Sequence, residues 1–225
     1  MDRSDRASFA VSVVASRYRT QFLRSYARSK IATDPAYRAV FEALAGTTAP
    51  LLDLGCGIGL LAFYLRQHGF TAPITGVDHD GRKIDVARLA ADGDRDLHFV
   101  QADAREPMNF RGNVVLLDIL HYFTDDEQGR ILERAARSVP PGGLLIIRDG
   151  LHDATVRYRI THALEAFARA VRWLKAERLN FPTKERIEGP LRGAFDEEVR
   201  SMSGFMPFNN YLFVFKRSSA GITNA

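Results

Sequence analysis

Three glycines at alternate positions, Gly55, Gly57 and Gly59, follow the apolar run Leu51-Leu52-Asp53-Leu54, and the apolar stretch Leu60–Leu65 follows them. A strand that passes through such a turn into a helix brings backbone N–H groups and a helix N-terminus to one small cleft. Glycine is needed because a Cβ would block either the turn or the approach of a ligand. A cleft of this kind holds part of a nucleotide-like molecule. Asp53 adds a carboxylate two residues before the first glycine, and Cys56 lies inside the turn. The spacing departs from the dinucleotide fingerprint G-x-G-x-x-G, whose third glycine would fall at Leu60.

Further acids close further apolar runs. Asp78 ends Pro73–Val77, with His79 beside it; Asp103 ends Leu97–Ala102, with Ala104 beside it; Asp118 ends Asn113–Leu117. In nucleotide-binding sheets an acid at a strand end accepts hydrogen bonds from ribose hydroxyls, and ligands gather at the C-terminal edge of the strands. His121 follows Asp118 closely, and a neutral imidazole is suited to take a proton near pH 7. Asp149 and His152 stand in the loop expected after a fifth run, Leu144–Ile147.

The order acid-x-G-x-G-x-G resembles motif I of the class I S-adenosylmethionine-dependent methyltransferases. The later runs are similar in turn to that family's second and third strands, to its motif IV (Asn113–Asp118 and Ile119–Phe123), and to its proline-glycine turn and fifth strand (Pro140–Ile147). Together they cover roughly residues 50–150. The resemblance implies S-adenosylmethionine as cofactor. Asp53 and the main chain of Gly55, Cys56, Gly57 and Gly59 would meet its methionyl end, Asp78 and His79 its ribose, and Asp103 and Ala104 its adenine. Asp118 would lie near the methionyl group or the methyl acceptor, or bury its charge against a structural partner. His121 is left with two roles, general base or wall of the pocket. Asp149 and His152 could touch the acceptor, and Lys30, between two N-terminal helices, could pair with the cofactor carboxylate or stay an exposed loop lysine. Catechol-type members hold magnesium with an Asp-Asn pair near strand five. Here Gly150 follows Asp149, and the histidines lack zinc spacing, so no metal site is expected.

The elements that must position these residues are legible around them. Val11, Val14, Tyr18, Phe22 and Tyr26 recur at helical spacing over 8–27, and a second helix is expected from Asp34-Pro35. Gly69 is placed to end the helix after the glycine turn, Asp80 to cap the next, and Thr124–Glu127 to form a capping box. A long basic helix with one apolar stripe is expected over 155–178, and a short one from Thr183. Glu197–Ser203 and Tyr211–Lys216 read as an antiparallel pair, since a short link permits no other. The fold class expected is α/β: a Rossmann-like seven-stranded methyltransferase sheet, mostly parallel, with an antiparallel last strand. Helices cover both faces. A helical cap (1–46) precedes the main domain (47–217), which carries a helical insertion (151–195), and a tail follows (218–225).

Composition sets the bounds. The 225 residues suit one domain with a cap. A net charge of +4 is diffuse, and neither an added recognition domain nor a concentrated basic patch points to nucleic acid. No run reaches the ~20 apolar residues of a membrane span. Phe9–Ala15, preceded by Asp2 and Asp5, is a poor signal-peptide core, and a single cysteine fits a reducing compartment, so a cytoplasmic protein, monomer or homodimer, is expected. The function these features imply is methyl transfer to a small organic acceptor, with oxygen favoured because His121 and His152 could deprotonate a hydroxyl. Motif IV lacks the Asn/Asp-Pro-Pro-aromatic signature of amino-methyltransferases. Short stretches, Ser29–Pro35 and Pro207–Tyr211, are similar to methyltransferases of aryl-polyene-type pathways, which would make the acceptor aromatic or acyl. The competing classes are a nucleic-acid methyltransferase and a cofactor-binding protein without catalysis.

Overall fold

The computed structural model describes residues 3–152, 179–202 and 209–219. The basic helix expected over 155–178, most of the link before Asn210 and most of the tail lie outside the described residues. The chain divides into two compact units between Met108 and Asn109.

The first unit runs α1 (Arg3–Ser16), α2 (Gln21–Thr33), α3 (Ala36–Ala43), β1 (Leu51–Leu54), α4 (Leu60–Gln67), β2 (Ile74–Asp78), α5 (Gly81–Ala90) and β3 (Leu97–Gln101). β1, β2 and β3 pair in parallel, with Leu51 opposite Ile74 and Ile74 opposite Leu97. Parallel pairing follows from the helical crossovers, which return the chain to the same end of the sheet. Leu60 to Leu65 are all buried. A helix apolar on every side has to be covered on every side, and α1, α2 and α3 pack against α4. Phe63 is the centre of this packing: Tyr18 meets it edge-on at 6.0 Å and Phe99 lies 5.8 Å away.

The single helix expected over 8–27 is two helices. The chain breaks at Arg17–Thr20, where the Thr20 hydroxyl caps α2 by accepting from the Leu23 N–H. The break turns Tyr18 inward, leaving it 1% exposed, whereas Phe22 and Tyr26 of the expected stripe are exposed. Lys30 is not in a loop: it lies in the last turn of α2, with Nζ 2.8 Å from the Asp34 carboxylate. Asp34 accepts from the Ala36 N–H, as an N-cap before Pro35 would, although α3 itself begins at Ala36, one residue after the proline. Gly69 follows the α4 C-cap with φ +92°, and Asp80 caps α5.

The second unit runs β4 (Asn113–Leu117), a 3-10 turn (Leu120–Tyr122), α6 (Asp125–Ser138), β5 (Leu144–Gly150), α7 (Lys184–Glu188), a second 3-10 turn (Gly189–Leu191), β6 (Phe195–Ser201) and β7 (Asn210–Arg217). β4 and β5 are parallel; β7 runs antiparallel to both β5 and β6. Thr124 and Glu127 form the capping box that opens α6, and Thr183 caps α7. Asp149 is a strand residue, not a loop residue as the sequence suggests, because β5 extends through Gly150 opposite Asn210. The strand order is β3-β2-β1-β4-β5-β7-β6, a mixed seven-stranded sheet with its reversed strand near one end, as expected. Among the described residues no helix is long and apolar enough to cross a membrane.

Phe99 sits directly beneath the glycine turn. A Cβ on Gly59, where φ is +82°, would come within 2.7 Å of the Phe99 ring and 3.0 Å of Phe63. Left-handed strain and overpacking each cost about 1–3 kcal/mol. Gly59→Ala should therefore lower stability by about 2–5 kcal/mol in urea unfolding; a loss under about 0.5 kcal/mol would contradict this packing.

Candidate functional site

In the first unit the site is built on the ends of β1 and β2. The glycine turn is folded by main-chain bonds: the N–H groups of Gly55 and Cys56 donate to the Val77 carbonyl at 2.7 and 3.0 Å, and Gly59 N–H donates to Cys56 O at 3.0 Å. Gly55, Gly57 and Gly59 all have φ between +57° and +82°, a region closed to most residues with a Cβ. The buried Tyr18 hydroxyl donates to Ile58 O at 3.0 Å, so the helical segment before the sheet is tied to the turn. Sequence reading saw Tyr18 only as one member of an apolar stripe, because its partner is 40 residues away.

Two carboxylates are buried here and are treated differently. Asp78 accepts from the Gly57 N–H at 3.0 Å and from the Asp80 N–H at 2.9 Å. His79 Nδ1 is 3.4 Å from it and Lys83 Nζ 3.9 Å, with the His79 ring largely in solvent. Asp53 is 3% exposed, and its Oδ2 has no hydrogen-bond partner among the described residues. Burial, reinforced by the negative charge of Asp78, pushes the Asp53 carboxyl up to about 7. Burial likewise raises the Cys56 thiol, which favours its neutral form. Asp103, half-buried after β3, is gripped by Arg105 through its backbone N–H and guanidinium at 2.6–3.0 Å, which holds its carboxyl below the usual range. Ala104 lies between them in sequence and is half-buried. Lys30 is drawn to Asp34, as described above.

In the second unit, consecutive residues of β5 hold the turn after β4. Side chains alternate along a strand, so Arg148 and Asp149 project to opposite faces. Arg148 takes the Asp118 carboxylate in an ion pair, and its carbonyl accepts from the Asp118 N–H at 2.8 Å. Asp118 has φ +57°, the one positive value outside glycine among the described residues. Of the alternatives for Asp118, charge pairing with a structural partner is therefore present.

Asp149 is fully buried and accepts from three donors: Leu120 N–H at 2.9 Å, Gly150 N–H at 2.8 Å, and His121 Nδ1 at 2.6 Å. His121 is itself buried, between Tyr122 at 4.2 Å and Phe181 at 5.3 Å between ring centroids. With Nδ1–H donating to the carboxylate, the imidazole lone pair lies on Nε2. The sequence placed these residues separately as candidates; the fold joins them, with Asp149 behind His121 rather than exposed in a loop. His152 is exposed, its N–H donating to Pro182 O, and it lines an open pocket of about 340 Å³ with Leu151, Thr183, Lys184, Glu185 and Tyr211. Gln128 and Asn180 also hold the His121 turn. Neither stood out in the sequence, one being a polar residue in a helix and the other lying two residues before a proline.

The Asp53 carboxyl has a pH consequence for folding. Its ordinary value is 3.8, so between about 4 and 7 the folded state keeps a proton that the unfolded chain has lost. Stability should fall as pH rises through this window, and Asp53→Asn should remove that fall. Thermal unfolding of the ligand-free protein at pH 5 and 7.5 checks it: the variant should gain on the wild type at the higher pH. Parallel curves would contradict the burial of an unpaired acid.

Residues 51–143 match a family model described as a methyltransferase domain. The ubiquinone biosynthesis O-methyltransferase of Sinorhizobium medicae is 30% identical over 206 residues, covering 85% of this chain and 76% of that protein. Its counterpart in Caulobacter sp. is 30% identical over 147 residues, covering 63% of this chain; the alignment spans 55% of that relative's length. An O-methyltransferase family protein from Burkholderia thailandensis superposes with a TM-score of 0.66 at 25% identity, covering 92% of this chain and 63% of that chain.

Proposed function

Because this chain belongs to the class I S-adenosylmethionine-dependent methyltransferases, we propose that it methylates a hydroxyl oxygen of a small organic acceptor by in-line displacement, with His121 as general base. The observation that carries the choice of oxygen is the buried 2.6 Å contact between His121 Nδ1 and Asp149. A base is needed where the attacking atom must lose a proton. The printed names of the relatives, O-methyltransferases, support the same reading.

The cofactor fits the residues present. Asp53 Oδ2 lacks a partner among the described residues, and a Cβ added at Gly57 would meet nothing within 4 Å. An ammonium supplies the donor and the positive charge that such an oxygen needs. In this reading Asp53 and the turn from Gly55 to Gly59 hold the aminocarboxyl end, Asp78 the ribose, and Asp103 with Ala104 the adenine. When bound, S-adenosylmethionine supplies a methyl carbon already activated by the sulfonium, with a neutral thioether as leaving group.

The protein's own part is then orientation and proton transfer. His121 Nε2 takes the hydroxyl proton as the oxygen–methyl bond forms. Asp149, held by two main-chain N–H groups, fixes the tautomer and stabilises the imidazolium, the role of the acid in other His–Asp pairs. The base should contribute roughly 10²–10⁴-fold, and alignment of the reacting atoms the larger share.

The test uses two variants, catechols and phenolic acids as trial acceptors, and calorimetry for the cofactor. His121→Gln should lower kcat by about 10²–10⁴-fold with cofactor affinity unchanged. Asp78→Ala should weaken cofactor binding by at least about tenfold. Turnover that survives His121→Gln would remove the general base, and unchanged affinity in Asp78→Ala would remove the ribose assignment.

A further inference from the structure

We infer that Gln128, on α6, is a positioning residue for His121, its buried amide binding the turn that carries the imidazole to the segment Leu179–Thr183. The inference rests on the reading of His121 as the base. Gln128 is a polar side chain with no exposed surface. Its Nε2 donates to the carbonyls of Leu120 at 3.0 Å, Phe123 at 3.1 Å and Asn180 at 2.7 Å. Two of those carbonyls flank His121 in the chain, and the third belongs to the segment that packs against it. Asn180 completes the arrangement: its N–H donates to the His121 carbonyl at 2.8 Å, and its Nδ2 to Phe123 O at 3.0 Å and Asp125 Oδ1 at 2.7 Å. Phe181, next in sequence, places its ring against the imidazole.

The donors alone account for a glutamine here. Its Oε1 is buried without a partner among the described residues, an arrangement that costs stability and that an apolar side chain of the same length would avoid. What such a side chain could not do is share two N–H donors among the carbonyls of the 120–123 turn and of Asn180. The consequence reaches the chemistry through Asp149. That carboxylate receives both the Leu120 N–H and His121 Nδ1, so any rotation of the 120–123 turn loosens both bonds together. A misplacement of about 1 Å at a reacting group can cost about 10²-fold in rate.

The experiment compares wild type, Gln128→Met, Asn180→Ala and His121→Gln as full chains. The readouts are proton NMR of the low-field imidazole N–H and turnover with the best trial acceptor from the panel above. His121→Gln assigns the resonance by removing it. Gln128→Met should broaden or abolish the resonance and lower kcat by about 10–100-fold, with KM for the methyl donor unchanged. Asn180→Ala, which keeps Gln128 and the main-chain bond to His121, should do the same more weakly, and it carries the test if Gln128→Met does not fold. A resonance and a kcat unaltered in the folded variants would overturn the inference. Loss of the resonance in Gln128→Met together with normal turnover by His121→Gln would leave the positioning intact and remove the base.

Discussion

Two carboxylates lie near the ends of neighbouring parallel strands, and among the described residues only one of them has partners for both oxygens. Asp78 takes main-chain N–H groups from the glycine turn and from the start of α5. Asp53, equally buried, is left with an oxygen that nothing among the described residues meets. Like charges in low dielectric raise each other's cost of ionisation, so the first unit carries an electrostatic deficit that a bound cation would relieve. The left-handed glycines, the Phe99 ring beneath them and the Tyr18 hydroxyl on Ile58 all serve to hold that turn in place. The turn is thereby rigid and incompletely neutralised.

In the second unit the carboxylate behind the candidate base is met by three donors, although Gln128 Oε1 nearby is buried without a partner among the described residues. Arg148 and Asp149 are adjacent on β5 and face opposite ways, so one strand fixes both Asp118 and His121. A buried imidazole–carboxylate pair needs donors on the remaining carboxylate lone pairs, and Leu120 and Gly150 provide them. These local contacts support the proposed role of His121 as a proton acceptor through Nε2.

Much of this was legible before any coordinates. Glycines at positive φ, acids closing apolar runs and the Thr124–Glu127 box announce themselves because the residue type alone satisfies the local geometry. The helix break at Tyr18 did not, since the 3.6-residue spacing continues across it and the deciding contact is with Ile58. Asp149 read as a loop residue because the apolar run Leu144–Ile147 stops at Arg148; the strand continues by pairing with Asn210–Leu212, and three donors meet the Asp149 carboxylate. Lys30 read as available for a ligand because its ion pair with Asp34 becomes visible only once α2 is seen to continue to Thr33. Gln128 and Asn180 were silent for the most general reason: their roles are defined by partners 52 residues apart.

Calorimetry of S-adenosylmethionine binding at pH 6, repeated in buffers of different ionisation enthalpy, counts the protons exchanged. An ammonium placed on Asp53 must displace the proton that this carboxyl retains below about 7, so close to one proton should be released per molecule bound, and Asp53→Asn should abolish the release. Binding with no proton released by the wild type would mean that Asp53 is not the group that receives the ligand.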